Sequence, residues 1–400
     1  MVRGSAPHAV LLSGPSGVGK TTLALDLAAG LLCTAEDRMQ RPCRSCRGCR
    51  MVAHGGHPDL HQLAPEGAGS QIGIGGRDAK SRGVRDLAED LSLMPMEGGA
   101  RVAIISGAHR MNEDAQGALL KTLEEPPAGV TIVLCSDDED RLLPTVRSRC
   151  ARIRLGRVGP RDVEAILSAQ GITDLPLAGR LARISGGRPG VALAYARSPD
   201  ALRARGDLAR RFLDLLAASP AARLAAIRGA APTALEMVDA LDAAALAATR
   251  SVDDPAARTA SGAARGKGRP ALPSTVVGLR ANGAPSSPGA DDPTTDDDSA
   301  DDVPGKVVPA ARRRRAAEAL ISVWMDVTRD LALVASGGAR SVRDTVLLEE
   351  LVVASAAIAP TAPAAFLLRL ARGAELVAGN VSPELVLDSL VLAWPARRAA

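Results

Sequence analysis

Short apolar runs alternate with helical stretches over the first 156 residues of the chain. Four runs have the length and composition of buried strands: 8–12, 101–106, 130–135 and 152–155. The stretches between them predict helices: 22–32, 84–93 and 113–125. Asn112 is placed to cap the last of these helices. Because strands separated by helices usually build a parallel sheet, the pattern predicts an α/β domain over residues 1–156.

The pattern becomes purely helical after Gly159. Two short helices at 160–170 and 175–184, and a third that opens near Val191, predict a small all-α unit over residues 157–200. Alanine- and leucine-rich helical sequence then fills two further segments: 201–250 and 311–400. We expect these two segments to form a second, larger helical domain.

A stretch of different composition divides that helical domain. Residues 251–310 are rich in Pro, Gly, Ser, Ala and Asp, and they include an acidic block at 291–302. Since such a segment cannot bury a core, it is predicted to be a disordered insert. The basic run 312–315 follows the insert. It is typical of a solvated helix start, and contact with DNA or with the acidic block is the alternative.

Bulk composition narrows the classes of function. Of the 400 residues, 46% are hydrophobic but only 1% are aromatic, so the core must consist of Leu, Val, Ile and Ala. This argues against binding of single strands by base stacking, which needs aromatic side chains. The net charge of +4 is compatible with weak contact to nucleic acid and no more. We recognise no signal peptide and no membrane-spanning stretch, so we expect a cytoplasmic protein without membrane contact.

The first predicted strand leads into a glycine-rich sequence that fits the P-loop pattern G-x-x-x-x-G-K-[ST]. Its residues are Gly14, Pro15, Ser16, Gly17, Val18, Gly19, Lys20 and Thr21. The glycines let backbone N–H groups turn towards a polyphosphate, and the N-terminus of the next helix adds a favourable dipole. Lys20 would reach the β- and γ-phosphates, and the Thr21 hydroxyl would hold Mg²⁺. The sequence therefore predicts a P-loop nucleotide site.

Four cysteines follow the P-loop helix with the spacing C-x9-C-x2-C-x2-C: Cys33, Cys43, Cys46 and Cys49. In a cytosolic chain, where disulfides are rare, such a set indicates a metal site. Four protein ligands leave no position open for water, so we predict structural Zn²⁺. His54 or His57 could replace one thiol. An iron–sulfur cluster is a further alternative, although the polar, arginine-rich loop favours zinc.

A hydrolytic P-loop site also needs carboxylates that are missing from the expected place. The acidic residue that holds Mg²⁺, and the glutamate that often follows it, normally end a neighbouring strand. Here the strand at 101–106 ends in Ser106, and Gly107 follows. Glu113 and Asp114 lie further on, where solvated helix charges are the simpler interpretation. We therefore expect an intact phosphate loop with little or no hydrolysis.

Taken together, these features resemble the bacterial clamp-loader AAA+ family. The likeness is carried by the segment 101–127, by Ser148-Arg149-Cys150 and by the four-cysteine insertion after the P-loop helix. The chain is similar to the delta-prime branch of DNA polymerase III subunits in its lost acidic pair and in its His-Pro-Asp-Leu at 57–60. The segment 187–193 is also similar to that branch, in its glycine-proline-glycine version of the sensor 2 segment, and so is the closing segment 380–383. The resemblance covers nearly the whole chain except the insert.

The resemblance implies a RecA-like AAA+ P-loop domain over 1–156 with a zinc knuckle at 33–49. It also implies a helical lid at 157–200 and an all-α collar at 201–250 and 311–400. In function it implies a stator that braces a ring of ATPase subunits. Its expected partners are tau/gamma-like ATPases and a delta-like clamp opener, and through the complex the sliding clamp and primed DNA.

Arg149 is the predicted catalytic contribution of such a stator. The resemblance implies that this arginine reaches across the subunit interface to ATP bound on the neighbour. Arginine is always charged and forks onto phosphate oxygens, so it stabilises the charge that develops at the γ-phosphate. The alternative is a structural arginine paired with a carboxylate at a strand edge.

Several functional alternatives stay open at this point. One is an ATP-hydrolysing motor subunit of the same complex. A second is a stand-alone P-loop enzyme, which would need an acidic catalytic residue and a substrate pocket. A third is a zinc-dependent DNA-binding protein. Seven residues precede His8, whereas the family usually has a longer segment there that helps to hold the adenine. Whether ATP and Mg²⁺ bind is therefore also open.

Overall fold

The computed structural model describes six parts of the chain: residues 7–65, 71–76, 81–97, 99–251, 309–379 and 381–396. For residues 245–251 only the backbone is described. The described residues up to 251 and from 309 onwards belong to one compact unit. Almost all of the predicted insert at 251–310 lies outside the described residues.

A five-stranded parallel sheet forms the centre of the N-terminal part. Its strands are β1 (Ala9–Ser13), β2 (Leu60–Leu63), β3 (Arg101–Ser106), β4 (Val130–Ser136) and β5 (Ala151–Arg154). The order is β2-β3-β4-β1-β5, so β1 lies between β4 and β5. The predicted α/β fold with a parallel sheet is confirmed. Because parallel strands share a direction, the loops after β1, β3 and β4 meet at one edge of the sheet.

Helices cover both faces of this sheet. They are α1 (Lys20–Leu31), α2 (Arg47–Ala53), α3 (Val84–Ser92), α4 (Glu113–Glu124) and α5 (Pro144–Ser148). Successive residues of a strand point to opposite faces. Val10 and Leu12 of β1 therefore pack with α1 and α2, whereas Ala9 and Leu11 pack on the side of α3, α4 and α5. The result is a three-layered domain with a core on each face of the sheet.

Helices α6 to α14 build the remainder of the described chain. They are α6 (Pro160–Ala169), α7 (Leu175–Ile184), α8 (Pro189–Arg197), α9 (Pro199–Asp214), α10 (Pro220–Ser251), α11 (Ala310–Ala335), α12 (Leu348–Ala356), α13 (Ala362–Ala378) and α14 (Pro383–Leu392). One hydrophobic core runs through them, from Val163 in α6 to Trp394 beyond α14. Because the predicted lid and collar share this core, their boundary stays a prediction. No helix within the described ranges combines the length and the apolar character needed to cross a membrane.

The two tryptophans and two phenylalanines of the chain meet in this helical core. Phe212 of α9 stacks on Trp324 of α11, with ring centroids 4.6 Å apart and planes 3° apart. Phe366 of α13 and Trp394 lie 5.3 Å from Trp324. Pairs of this kind contribute about 0.5–1.5 kcal/mol beyond the burial of their surface. The few aromatic residues are thus concentrated where α9, α11 and α13 pack together.

The basic run at the start of α11 is used in contacts between helices. Arg313 pairs with Glu384 of α14 at 2.9 Å, and Arg315 pairs with Asp242 of α10 at 2.7 Å. These side chains are about half exposed, so each pair contributes at most about 1 kcal/mol. In this structure, arginines of the run form ion pairs that connect α11 to neighbouring helices.

Candidate functional site

The P-loop connects β1 to α1, and its glycines are required by the backbone. Gly14 has φ of 145°, and a Cβ added to it would lie 2.2 Å from the carbonyl oxygen of Leu155. Gly19 has φ of 100° and precedes the first turn of α1. Both angles lie in the region that favours glycine. This shape places Lys20 and Thr21 at the start of α1, where a phosphate-binding helix N-terminus needs them.

The Lys20 side chain is folded back onto its own loop. Its Nζ donates to the carbonyl oxygens of Gly14 at 2.7 Å and Pro15 at 2.8 Å. It also pairs with Asp137 Oδ1 at 2.6 Å. Only 7% of the Lys20 side chain is exposed. An ammonium group has three N–H donors, so these three contacts satisfy it completely.

Asp137 is a site residue that sequence reasoning missed. It follows β4 directly, and Ser136 at the end of β4 pairs in register with Ser13 of β1. The Asp137 N–H donates to His109 Nδ1 at 3.1 Å. Burial lowers the pKa of His109, which keeps the ring neutral and its Nδ1 available as an acceptor. An acidic residue placed directly after a buried strand was the signal that could have identified it.

The end of β3 carries no carboxylate. Ser106 is its last residue, and Gly107 follows with φ of 65°. Glu113 and Asp114 lie in the first turn of α4, where their negative charges interact favourably with the positive end of the helix dipole. Asp137 is therefore the one carboxylate among the described residues that line the cavity over the P-loop.

This cavity has a volume of about 300 Å³. Five residues of the P-loop motif line this cavity: Ser16, Gly17, Gly19, Lys20 and Thr21. Gly14, Pro15 and Val18 are not among the lining residues. Opposite the motif lie Gly107, His109, Arg110, Asp137 and Gly190. The structure thus brings most of the predicted nucleotide-binding residues to one opening at the edge of the sheet.

The N-terminus of α8 packs directly against the P-loop. The Gly190 N–H donates to the Gly17 carbonyl oxygen at 2.8 Å. A Cβ added to Gly17 would lie 2.8 Å from Val191 Cγ2, so this approach needs glycine. Arg188 Nε donates to the Ser185 carbonyl oxygen at 2.8 Å, and Arg188 is not among the lining residues. Gly190 is therefore the residue of α8 that lines the cavity, and it brings no charge to it.

Arg149 lies outside this cavity, at the C-terminal end of α5. Its Nη1 donates to the Thr145 carbonyl oxygen at 3.0 Å, and its Nη2 pairs with Glu124 of α4. The Arg149 side chain is 35% exposed and that of Glu124 is 49% exposed. In the isolated chain Arg149 thus has the carboxylate partner that the structural alternative predicts. Such an exposed pair is worth at most about 1 kcal/mol, so a phosphate could replace Glu124 at small cost.

The four predicted metal ligands come together at the end of α1. The Sγ atoms of Cys33, Cys43, Cys46 and Cys49 all lie within 4.8 Å of one another. Cys33 Sγ and Cys46 Sγ are 3.9 Å apart, close to the edge of about 3.8 Å expected for a tetrahedron with Zn–S of about 2.3 Å. Among the described residues this group contains four cysteines and neither His54 nor His57. The cluster could hold a metal ion.

Hydrogen bonds within the cluster favour thiolates at two of its positions. A hydrogen bond from the Ser45 hydroxyl lowers the pKa of Cys43 to about 7. Burial raises the pKa of Cys46, but N–H groups such as that of Cys49 outweigh it and lower the value to about 5. Burial raises the pKa of Cys49 to about 12. Since thiolates are the form that binds metal, Cys43 and Cys46 suit a ligand role near neutral pH.

The motif that begins at His57 has a structural role. The Asp59 side chain is fully buried and accepts the N–H groups of Met96 and Glu97, each at 2.7 Å. The buried His57 ring accepts the Asp59 N–H at its Nδ1, at 3.1 Å. Asp59 therefore fixes the segment that leads into β3.

Comparison with known proteins agrees with the sequence resemblance. Residues 1–158 match the family described as "DNA polymerase III, delta subunit". The chain is 40% identical over 155 residues to DNA polymerase III subunit delta' of Pseudomonas aeruginosa, covering 38% of this chain and 43% of that protein. It is 37% identical over 194 residues to subunit delta' of Escherichia coli, covering 48% of this chain and 55% of that protein. Subunit tau of Salmonella typhimurium is 36% identical over 167 residues, covering 41% of this chain and 23% of that protein.

The chain thus spans about half the length of the curated delta' relatives that it matches. The family match ends at residue 158, just beyond β5. The resemblance to delta-prime subunits of bacterial DNA polymerase III is confirmed, and residues 1–158, which include the P-loop and the cysteine cluster, carry the family match.

Proposed function

We propose that the chain is a delta-prime-like stator subunit of the replicative DNA polymerase III clamp loader, which helps to load the sliding clamp on primed DNA. The observation that carries this proposal is the absence of a carboxylate at the end of β3. Ser106 and Gly107 stand where a hydrolytic site keeps its carboxylates, next to an intact P-loop. A loop built for phosphate without the groups that activate water suits a subunit that braces its neighbours. The similarity to delta' proteins supports the same role.

Buried ion pairs that fix the helices support the bracing role. Arg205 of α9 is 3% exposed and pairs with Asp344 at 3.0 Å and with Asp326 of α11 at 3.2 Å. Arg180 of α7 reaches the same Asp344 at 3.3 Å. Because a buried charge without its partner is costly, such a network favours one relative arrangement of these helices. The predicted lid, represented by α7, is thereby held against the predicted collar.

Arg149 would act on the neighbouring subunit. An arginine supplied in trans stabilises the charge that develops on the γ-phosphate and can raise the rate by several orders of magnitude. The exposure of Arg149, and its weak exposed partner Glu124, support this role. In the assembly, a phosphate of the neighbour's ATP would replace the Glu124 carboxylate as the partner of the Arg149 guanidinium group.

The partners follow from this role. They would be tau/gamma-like ATPases and a delta-like clamp opener, and through them the sliding clamp and primed DNA. Exposed apolar side chains on the last three helices support contacts with other subunits. Val353 of α12, Leu368 of α13 and Leu385 of α14 are each more than 60% exposed. Contact with another subunit would remove their apolar surface from water.

The metal of the cysteine cluster would be structural Zn²⁺. The four-thiol donor set and the 3.9 Å spacing of Cys33 and Cys46 fit a closed tetrahedral site. Zinc bound there would tie the segment after α1 to α2, which contains Cys49. A bound ATP with Mg²⁺ would be held by the P-loop without being turned over.

A motor subunit that hydrolyses ATP is the second candidate. The complete P-loop motif and the similarity to subunit tau favour it. The carboxylate-free end of β3 opposes it. The two candidates differ in what Lys20 does, since hydrolysis by this chain would need Lys20 and bracing would not.

Clamp loading onto primed DNA tests the proposal. The motor subunits, clamp opener and clamp of the same complex would be mixed with wild-type chain, with Lys20→Ala, or with no added chain. We expect loading to require the chain and to proceed with Lys20→Ala at close to the wild-type rate. Loading that is lost with Lys20→Ala, although this variant still joins the complex, would instead assign the motor role. Arg110→Ala, which removes a cation from the same cavity, is the matched control.

A further inference from the structure

We propose that Asp137 is an internal counter-ion that competes with nucleotide phosphates for Lys20 and so sets the affinity of the P-loop for nucleoside di- and triphosphates. This rests on the proposed nucleotide site and extends it to the residue that controls its occupancy. Asp137 Oδ1 lies 2.6 Å from Lys20 Nζ. It therefore occupies the place that a phosphate oxygen would take on the P-loop lysine.

Lys20 has no donor to spare for a ligand. Its three N–H groups are directed to the carbonyl oxygens of Gly14 and Pro15 and to the Asp137 carboxylate. A phosphate must therefore displace at least one of these partners. The Asp137 carboxylate is the one that is charged, and at 39% exposure it is also open to solvent. Displacement of Asp137 is thus the step that would free Lys20.

Backbone hydrogen bonds at the end of β4 hold Asp137 in place. The Gly14 N–H donates to the Ser136 carbonyl oxygen at 3.2 Å, which joins the end of β4 to the first residue of the P-loop. The Asp137 N–H is held by His109 Nδ1 at 3.1 Å. Both polar groups of the Ser136–Asp137 peptide are therefore hydrogen-bonded, which holds the Asp137 backbone near Lys20 while its side chain can still rotate away.

The Asp137 carboxylate and a nucleotide phosphate are both negatively charged, so they compete for the same Lys20 ammonium group. The charged side chains among the lining residues are Lys20, Arg110 and Asp137. A bound polyphosphate would face the Asp137 carboxylate across the same small cavity, and like charges at this range repel. Replacing Asp137 by asparagine keeps the shape of the side chain and removes this repulsion. It also gives one Lys20 donor a neutral amide oxygen in place of a charged carboxylate, which a phosphate displaces more easily.

Calorimetric titration of the purified full chain with ADP and with ATP, each with and without Mg²⁺, tests the proposal. We expect Asp137→Asn to bind both nucleotides about tenfold to a hundredfold more tightly than wild type, the range for one hydrogen bond to a charged group. Lys20→Ala should abolish the gain in the double variant. Asp140→Asn is the control because Asp140 is 86% exposed, pairs with Arg147 and is not among the lining residues.

Two results would overturn the proposal. Equal affinity of Asp137→Asn and wild type would show that the carboxylate does not compete with phosphate. Weaker binding of Asp137→Asn, seen only with Mg²⁺, would show that Asp137 is instead a metal ligand. Asp137→Ala, expected to change affinity in the same direction, replaces the asparagine variant if that one does not fold. Neither result bears on the proposed stator role, because that role does not depend on nucleotide bound to this chain and is tested separately by clamp loading with Lys20→Ala.

Discussion

At the scale of single residues, the acidity of the cysteine thiols bears on metal uptake. The pKa values of about 7 for Cys43 and about 5 for Cys46 make both substantially thiolate at neutral pH. The pKa of about 12 for Cys49 means that this thiol must lose its proton when metal binds. Metal binding by such a cluster releases protons and contributes directly to folding free energy.

We expect Cys46→Ser to lose bound zinc, because a hydroxyl replaces the most acidic thiol of the tetrahedral set. Elemental analysis of the purified protein would show about one zinc per chain in wild type and well below that in the variant. The control is Cys150→Ala, which removes a buried thiol outside the cluster. A variant that keeps a full zinc equivalent would contradict a role for Cys46 as ligand.

Two partly buried histidines make the stability of the chain depend on pH. Burial lowers the pKa of both His61 and His109 below the ordinary value of 6.5. Between the lowered value and 6.5 the unfolded chain binds more protons than the folded chain. Their contribution is therefore fully present above about pH 6.5 and is lost as the pH falls below it.

Urea unfolding at pH 7.5 and at pH 5.5, with excess zinc, measures this effect. We expect the free energy of unfolding of wild type to fall only below about pH 6.5, by at most about 1.4 kcal/mol per pH unit for each histidine. The variant His61→Gln/His109→Gln should lose less, since glutamine does not titrate. An equal loss in both proteins would assign the pH dependence to other groups.

At the residue level, local motifs in the sequence pointed to side chains that the structure brings close together. The P-loop pattern identified Lys20, and the cysteine spacing identified a cluster whose sulfurs do meet. Asp137 was missed because it reaches Lys20 only through the register of β4 with β1. Glu124 was likewise not foreseen as the partner of Arg149, because α4 and α5 meet only in the folded domain. Tertiary pairing supplied these contacts.

At the scale of elements, the buried ion pairs of Arg205 link α9 to Asp326 of α11 and to Asp344, which lies between α11 and α12. Arg205→Ala would leave the carboxylates of Asp326 and Asp344 without this partner in the helical core. Since Arg343 still pairs with Asp326 and Arg180 with Asp344, we expect the free energy of unfolding to fall by less than the roughly 3–5 kcal/mol of a fully uncompensated buried charge, but by more than about 1 kcal/mol. Urea unfolding followed by tryptophan fluorescence would measure it, because Trp324 and Trp394 both lie in this core.

Arg203→Ala on the same helix is the matched control for Arg205→Ala. Arg203 and its partner Asp200 are about three-quarters exposed, so their pair should contribute no more than about 1 kcal/mol. A similar loss from both variants would mean that arginine on α9 acts through helix propensity or surface charge and not through the buried network.

Elements with a strong local pattern were predicted well from the sequence. The strand at Arg101–Ser106 and the helix at Leu175–Ile184 have the predicted bounds, and Asn112 caps α4 by accepting the Ala115 N–H at 2.9 Å. Strand β2 was not foreseen, because two of its four residues are polar and its pairing with β3 is a long-range contact. Helix α2 was also missed, since its seven residues include a glycine and lie among the cysteines.

At the scale of the whole molecule, the described chain joins two kinds of architecture. The parallel sheet presents the P-loop at one edge, and the helices from α6 onwards share one core around the aromatic cluster. The Gly17–Gly190 contact links the two directly. The proposed stator role would need such a continuous connection between the P-loop and the helical part of the chain.

ATP turnover in the assembled clamp loader is the most direct test of the central claim that this chain braces a ring and completes a neighbouring site through Arg149. Steady-state hydrolysis would be measured for the chain alone and for the mixture with motor subunits, clamp opener, clamp and primed DNA. Arg149→Ala would be compared with Arg147→Ala, a change on the same helix in a side chain that pairs with Asp140. We expect no turnover by the chain alone, strong turnover in the mixture, and a large loss with Arg149→Ala only. Turnover by the chain alone that Lys20→Ala abolishes would contradict the stator role and identify a motor.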